Sequence, residues 1–163
     1  MSYHIYNTRG IILSSRPLRE ADRIYSILTR ELGLLRATAT GVRKEESKLR
    51  GHIEPISLSN VSLIRGKEYW RLTSAERVRS INQDPNVAKP MDLIEKLVQG
   101  EEANLELFDI VEKALLSDEV SEIKLVSNIL YNLGYLKEED LELDERSMVK
   151  AINEGLEYSQ LST

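Results

Sequence analysis

In the stretch 34–40, hydrophobic and polar side chains alternate from Leu35 onward, and this period of two predicts a β-strand with one buried face. Leu35, Ala37 and Ala39 would share the buried face, and such small inward residues suit a tightly curved sheet. Stretches rich in β-branched and aromatic residues predict four more strands, over residues 3–15, 23–30, 56–65 and 68–81. Five strands with an insertion between the third and the fourth are the layout of an OB-fold β-barrel.

Two of these strands carry local signals. Gly10 permits a bend or a β-bulge in the first strand, and Pro17 should end that strand because proline cannot donate to a ladder. In the fourth strand the apolar phase changes by one residue between Leu58 and Val61. A β-bulge in this strand would explain the change.

The periodicity becomes helical after a polar linker at residues 82–86. We therefore predict an α+β chain, with a five-stranded OB-fold domain at residues 1–82 and a small α-helical domain at residues 83–163. The first two expected helices run from Pro90 to about residue 99 and over 105–116 behind an Asn104 cap. The third runs from a Ser117 or Asp118 cap to Leu133, with Gly134 as its C-terminal stop, and the fourth covers about 145–158.

The charge is distributed unevenly along the chain. Residues 1–80 contain 15 Lys and Arg against 8 Asp and Glu, a balance of +7, whereas residues 81–163 contain 7 against 19, a balance of −12. The overall charge of −5 therefore conceals a basic half. Such an asymmetry makes the basic half the candidate for binding nucleic acid.

The densest group of cations lies in the insertion between the third and fourth strands. Arg43, Lys44, Lys48 and Arg50 fall within eight residues, between two glycines and ahead of Pro55. Such side chains neutralise phosphates and release counterions, so binding to DNA should weaken steeply with salt. The full set of predicted DNA-binding residues is Arg16, Arg19, Arg36, Arg43, Lys44, Lys48, Arg50, Lys67 and Arg71.

Tyr69 and Trp70 are aromatic residues at the start of the fifth strand. Neighbouring residues of a strand face opposite ways, so at most one of the two packs inside the barrel. We favour Trp70 in the core and Tyr69 half-exposed, although stacking on nucleic-acid bases is the alternative role for either ring.

Several classes of protein are excluded or disfavoured. The chain has no cysteine, which excludes disulfides and thiol chemistry and argues against a zinc site. It contains no P-loop, nucleotide-binding glycine motif or nucleophile elbow, so we predict a protein without enzymatic activity and without a cofactor. The N-terminus lacks the pattern of a signal peptide and no apolar run reaches membrane-spanning length, so we expect a cytoplasmic protein.

An ordered set of segments resembles the bacterial RecO family of recombination mediators. The segments are Gly-Ile-Ile-Leu-Ser-Ser-Arg-Pro at residues 10–17, Leu-Thr-Arg-Glu-Leu-Gly-Leu-Leu-Arg at 28–36, Gly-Val-Arg-Lys at 41–44, Ser-Lys-Leu-Arg-Gly at 47–51, and Glu-Pro at 54–55. The similarity continues in part through Leu-Gly-Tyr at residues 133–135. Where many family members next carry a cysteine zinc knuckle, this chain reads Lys-Glu-Glu-Asp, so it resembles a compact form without the knuckle. The family's third-strand lysine is Thr40 here.

The resemblance implies an OB barrel followed by a helical domain, and a role in recombinational DNA repair. It implies binding of single- and double-stranded DNA, strand annealing, and help in loading RecA on strands coated by single-strand-binding protein. The implied protein partners are RecR and the acidic tail of single-strand-binding protein.

Binding of that acidic tail requires an apolar pocket with cations at its rim. We expect weak or absent binding here, because residues 81–163 carry 19 acidic side chains. The candidate residues are Lys113 and Lys124 at the rim, with Leu116, Ile129 and Leu130 as walls.

Two other functions stay open at this point. The chain could be a RecO-like adaptor that binds a protein and little DNA, as the acidic half suggests. It could also be an RNA-binding OB protein, although only the analogy of fold supports that reading.

Overall fold

The structure is a computed structural model that describes residues 3–44, 47–81 and 84–161. Five strands form a closed barrel in the order β1-β2-β3-β5-β4, in which only β3 and β5 pair in parallel. The strands are β1 (Ile5–Pro17), β2 (Arg23–Thr29), β3 (Gly33–Ala39), β4 (Ser57–Ile64) and β5 (Trp70–Ser80). The predicted five-stranded OB-fold barrel is confirmed.

β1 is long because it pairs with both of its neighbours in the closed barrel. Its first part pairs with β4 and its last part pairs with β2, where Pro17 is the partner of Arg23. The strand therefore ends two residues later than predicted, since a proline at the last position has no ladder bond to donate. The irregularity of β1 falls between Ile12 and Ser14 rather than at Gly10. Gly10 instead permits close packing, because a Cβ there would lie 2.8 Å from a methyl of Ile27.

The apolar phase change in β4 has a different cause from the predicted bulge in that strand. Val61 and Leu63 belong to the core inside the barrel, whereas Leu58 packs on the outside against the helices. The register shifts that the structure shows between β4 and β5 add unpaired residues, Thr73 and Val78, to β5. β4 itself keeps one phase, and Leu58 is buried because a second layer covers it.

Four helices follow the barrel: α1 (Pro85–Leu97), α2 (Leu105–Leu116), α3 (Glu122–Asn132) and α4 (Glu145–Leu161). The prediction for α2 and its Asn104 cap is confirmed. α1 begins five residues earlier than predicted, because the Asp84 side chain caps it and Pro85 occupies its first turn. α3 is capped by Ser121, not by Ser117 or Asp118, and Gly134 follows its end at φ +88° as expected.

The barrel and the helices share a hydrophobic core. Ile11, Leu13 and Leu28 on the outer surface of the barrel pack in one cluster with Met91 of α1 and Phe108 of α2. A second cluster fills the barrel, and a third joins α1 and α3 to α4. Residues 82 and 83, at the predicted domain boundary, lie outside the described residues, and the division into two domains stays a prediction. Of the helices that the structure describes, none has the length and apolar character needed to cross a membrane.

Candidate nucleic-acid interface

The cationic insertion between β3 and β4 is attached to the barrel at both ends. Near its start, the Gly41 N–H donates to Asp22 Oδ1 at 2.8 Å and the Val42 side chain is buried in the barrel core. Near its end, Ile53 is 0% exposed in the same core, and His52 Nδ1 accepts from the Arg77 N–H at 3.0 Å. Both ends of the insertion are therefore fixed to the barrel, and this limits the positions that its cations can take. A short 3-10 helix, Arg50–His52, lies within it.

The insertion and two strands enclose a cleft of about 570 Å³ at one end of the barrel, which we call the mouth cleft. Its floor contains the buried side chains of Tyr25 and Val42. The residues that line it are Ser15, Arg23, Tyr25, Val42, Arg43, Arg50, Glu54 and Pro55. Two of the nine predicted cations, Arg43 and Arg50, thus meet in one concave site.

Arg23 is a third cation of the mouth cleft that our sequence reasoning missed. It shares the inward face of β2 with Tyr25 and Ile27, but it lies at the end of the strand, opposite Ala39. Its Nε donates to Ser15 Oγ at 3.1 Å. The period of two along β2 could have revealed it, because an arginine in an inward register at a strand end must project into the mouth of the barrel.

Three more of the predicted cations, Arg19, Lys44 and Lys48, lie outside the mouth cleft. The Arg19 carbonyl accepts a hydrogen bond from Arg43 Nη1 at 3.1 Å, so the β1–β2 loop and the insertion touch. Arg19 also pairs with Asp22 at 3.6 Å, and its side chain remains largely exposed. Lys44 and Lys48 are exposed residues of the insertion. Residues 45 and 46, the two glutamates between them, lie outside the described residues.

A second group of cations lies on the outer face of β1, β2, β3 and β5. Arg36 faces outward because it alternates with the inward residues of β3. Arg16 pairs with Ile24, Ile24 with Thr38, and Thr38 with Arg71, so Arg16 and Arg71 lie in one row across the sheet. In OB-folds this outer face, together with the β1–β2 and β4–β5 loops, binds oligonucleotides. Lys67, in the β4–β5 loop, is exposed.

Two adjoining clefts, of about 210 and 340 Å³, form what we call the outer-face groove. Both contain Ser26, Arg36 and Glu95; Arg16 lines the first and Tyr69 the second. Ser15 lines both the first of these clefts and the mouth cleft. The two sites therefore form one continuous path over the surface of the barrel.

The helical half places carboxylates along this groove. Glu95 of α1 accepts a hydrogen bond from Ser14 Oγ at 2.5 Å. Glu101, after α1, accepts from Trp70 Nε1 at 3.0 Å and forms an ion pair with Arg65 at 3.7 Å. The charge asymmetry of the sequence thus becomes a local feature, in which acidic side chains of one half border cations of the other.

The two neighbouring aromatic residues take the roles that the sequence favoured. Trp70 is 3% exposed inside the barrel, with the edge of Tyr6 at 5.1 Å between ring centres and the Arg65 guanidinium 4.4 Å from the ring centre. A ring so enclosed has no free face for a base. Tyr69 is half-buried beside Arg36 in the outer-face groove and is the aromatic side chain in a position to stack.

The candidate partner-binding residues divide into two groups. Lys113 and Lys124 line one shallow groove of about 270 Å³ between α2 and α3, and Leu116 is exposed near the end of α2. Ile129 and Leu130 are each 0% exposed, so they cannot form the walls of an external pocket. The apolar walls are instead Ile110, Ala114, Val120 and Leu125.

Carboxylates and histidines do not gather into a metal site in the part of the chain that the structure describes. Among those residues, no three His, Asp or Glu side chains converge in a way that could hold a metal ion. The acidic segment Glu138–Glu142 forms a short 3-10 helix, and its three glutamates are exposed.

The geometry defines a class of protein: an OB-fold barrel with a cationic end and outer face, packed against a small helical domain. Residues 1–81 match the family described as Recombination protein O N terminal. The barrel half is therefore a RecO N-terminal domain, and the chain belongs to the RecO family.

Individual relatives agree with this assignment. A protein named DNA repair protein RecO from a Synechococcus species is 45% identical over 83 residues, which cover 51% of this chain and 29% of that protein. The protein of the same name from Gloeothece citriformis is 32% identical over 120 residues, which cover 68% of this chain and 41% of the relative. One from Dehalococcoides mccartyi is 46% identical over 77 residues, or 47% and 30% of the two chains. The matched region spans less than half the length of these curated relatives.

Proposed function

We propose that this chain is a DNA-binding protein of DNA repair and recombination that acts without catalysis. The observation that carries the proposal is the cationic mouth cleft, with Arg23, Arg43 and Arg50. It continues into the outer-face groove, which contains Arg16 and Arg36 and lies on the surface that OB-folds use for oligonucleotides. Guanidinium and ammonium groups along such a path bind phosphates, and Tyr69 adds an aromatic face for a base. The name of the relatives, DNA repair protein RecO, supports the same biological setting.

The finer role that we propose is that of a recombination mediator in the cytoplasm. It would bind and anneal single strands and help to load RecA on DNA coated by single-strand-binding protein. Annealing needs no catalytic group, because base pairing supplies the free energy once bound cations screen the repulsion between strands.

A RecR-like protein is the partner that we propose for the chain. The acidic tail of single-strand-binding protein is the weaker candidate. The apolar groove between α2 and α3 offers it two cations, Lys113 and Lys124. The half that carries this groove has a balance of −12, which opposes an acidic ligand.

The decisive experiment is a titration of labelled single-stranded DNA across a salt series. Reversal of charge at Arg43, Lys44, Lys48 and Arg50 should abolish most of the binding. The log–log salt slope should fall by about 0.7 for every phosphate that the variant no longer neutralises. Fluorescence anisotropy measures both quantities, and circular dichroism checks that the barrel remains folded.

A matched control carries the same change in net charge away from the path. The control replaces four exposed cations of the helical half by glutamate: Lys89, Lys137, Arg146 and Lys150. It should retain most of the affinity and the salt slope. Equal losses in the two variants would show that net charge, rather than the insertion, governs binding, and would remove the insertion from the DNA site.

One observation favours a second function, that of an adaptor that binds a protein and little DNA. Glu95 and Glu101 place negative charge along the outer-face groove, where it repels phosphates. If the wild-type chain has no measurable affinity for single-stranded DNA even at low salt, but binds a RecR-like partner, the adaptor function replaces the first proposal.

A further inference from the structure

The mouth cleft differs from the outer-face groove because its lining is positively charged, and its floor is closed. Tyr25 and Val42 at the floor belong to the core that fills the barrel beneath them. A strand can lie across the cleft or end in it, but it cannot pass through. The volume of about 570 Å³ is typical of small-ligand sites and leaves room for one end of a strand.

The charge inside the cleft is high for so small a space. Three guanidinium groups, of Arg23, Arg43 and Arg50, share it with the single carboxylate of Glu54, which leaves a balance of +2. Among the described carboxylates, none forms an ion pair with these three arginines. Their charge is therefore available to a ligand.

Neutral donors complete the site at its inner end. Ser15 and Tyr25 face the cleft from β1 and β2. A tyrosine hydroxyl is protonated at neutral pH and can donate a hydrogen bond. Burial raises the pKa of the Tyr25 hydroxyl further above its ordinary value. Hydroxyl donors at the floor and guanidinium donors at the walls fit an anion with several oxygens.

We propose that the mouth cleft binds the terminal phosphate monoester of a DNA strand. The inference rests on the proposed DNA-binding function and assigns a ligand to one part of the same site. A phosphate monoester carries about −1.5 to −2 at neutral pH and offers three terminal oxygens. An internal phosphodiester carries −1 and offers two. The balance of +2 and the donors on several sides of the cleft match the monoester.

Arginine is the cation suited to distinguishing a phosphate monoester from a phosphodiester. Its planar guanidinium donates two parallel hydrogen bonds to a phosphate, so it recognises geometry as well as charge. Arg23 lies on a strand and donates a hydrogen bond to Ser15, so the position of one of the three guanidinium groups is fixed. Arg43 and Arg50 approach from the insertion, which Val42 and Ile53 anchor.

The test compares three forms of one internally labelled single strand of about 20 nucleotides. One form carries a 5′-phosphate, one a 3′-phosphate, and one a hydroxyl at both ends. Anisotropy titrations of the full chain should show about tenfold tighter binding for one of the phosphorylated forms than for the hydroxyl form, the gain expected of one or two charge-assisted hydrogen bonds. The form that gains affinity identifies the end that the cleft accepts.

Substitutions inside and outside the cleft separate this site from general attraction. Arg23→Gln and Arg50→Gln should each reduce the ratio between phosphorylated and hydroxyl-ended DNA toward one. Arg36→Gln, in the outer-face groove, should weaken all three forms and keep the ratio. Two cleft variants are used because loss of the Arg23–Ser15 hydrogen bond could affect folding, which circular dichroism would detect.

The outcomes distinguish this inference from the function on which it rests. Equal affinity for all three forms, with DNA bound, overturns the end-binding inference and leaves the DNA-binding function intact. A preference that survives both cleft substitutions also overturns it, because the phosphate would then bind elsewhere. Failure to bind any of the three forms at low salt removes the proposed function and the inference together.

Discussion

Glu95 of α1 lies in the outer-face groove, where we propose that DNA binds. Its carboxylate accepts from Ser14 and borders both clefts of the outer-face groove, next to Arg16 and Arg36. A negative charge there repels the phosphates of an approaching strand and offsets part of the field of the two arginines. We therefore expect the helical half to limit the affinity of the barrel for DNA.

Glu95→Gln should tighten the binding of single-stranded DNA. The amide keeps an acceptor for Ser14 but removes the charge, and a partly exposed charge interaction contributes about 0.2–1 kcal/mol, or up to about fivefold in affinity. The gain should shrink at high salt, where the repulsion is already screened. Glu154→Gln, on the exposed surface of α4, is the matched control and should leave the affinity unchanged. Unchanged affinity in both variants would show that DNA does not approach Glu95.

Single residues differ in how far the sequence predicts their roles. Alternation along β3 and β5 is enough to assign Arg36 to the outer face and Trp70 to the core, because each strand has a period of two. The role of Glu95 depends on how α1 lies across the barrel. No local pattern carries that information, and neither Glu95 nor its contact with Ser14 was predicted.

At the scale of elements, the insertion between β3 and β4 combines two kinds of side chain. Its described charged residues face solvent, while Val42, Leu49 and Ile53 pack into the end of the barrel. Such anchoring lowers the entropy that the loop must lose when it binds a strand. We therefore expect these apolar residues, without contacting DNA, to increase the affinity with which the cations of the insertion bind it.

Ile53→Ala should weaken DNA binding although it removes no charge. The substitution leaves a cavity beneath the insertion and should lower the free energy of unfolding by about 2–5 kcal/mol. Ile129→Ala, at an equally buried position of α3, should cost a similar amount of stability but leave the affinity of the folded protein unchanged. Urea denaturation and anisotropy titrations measure the two effects. If both variants bind as the wild type does, the position of the insertion does not matter for binding.

Elements with strong local signals were predicted well, and those set by tertiary packing were not. The bounds of α2 follow from its apolar face and from the Asn104 cap, and both are confirmed. The start of α1 was misplaced because residues 84–86 read as a linker, although Asp84 caps a helix there. The apparent change of apolar phase in β4 arises because the helices bury Leu58. The pattern of the strand alone cannot show this cover, so we attributed the change to a bulge.

At the scale of the whole molecule, the basic barrel and the acidic helical half are opposite in charge and joined by a common core. Phe108 of α2 is fully buried in the cluster that contains Ile11 and Leu58 of the barrel. Removal of the helices would expose this apolar surface of the barrel to water, at about 25 cal/mol for each Å². The two halves should therefore depend on each other for stability.

We expect the chain to unfold in one cooperative transition, and substitutions in clusters that belong to only one half test this. Leu130→Ala alters the cluster within the helices and should lower the free energy of unfolding by about 2–5 kcal/mol. Val61→Ala alters the cluster inside the barrel. Trp70, the chain's single tryptophan, reports on the barrel by fluorescence, and circular dichroism at about 222 nm reports mainly on the helices. In each variant the two signals should move together, because a common core transmits the loss of stability. A shift of the helical signal alone in Leu130→Ala would show that the halves unfold as independent domains.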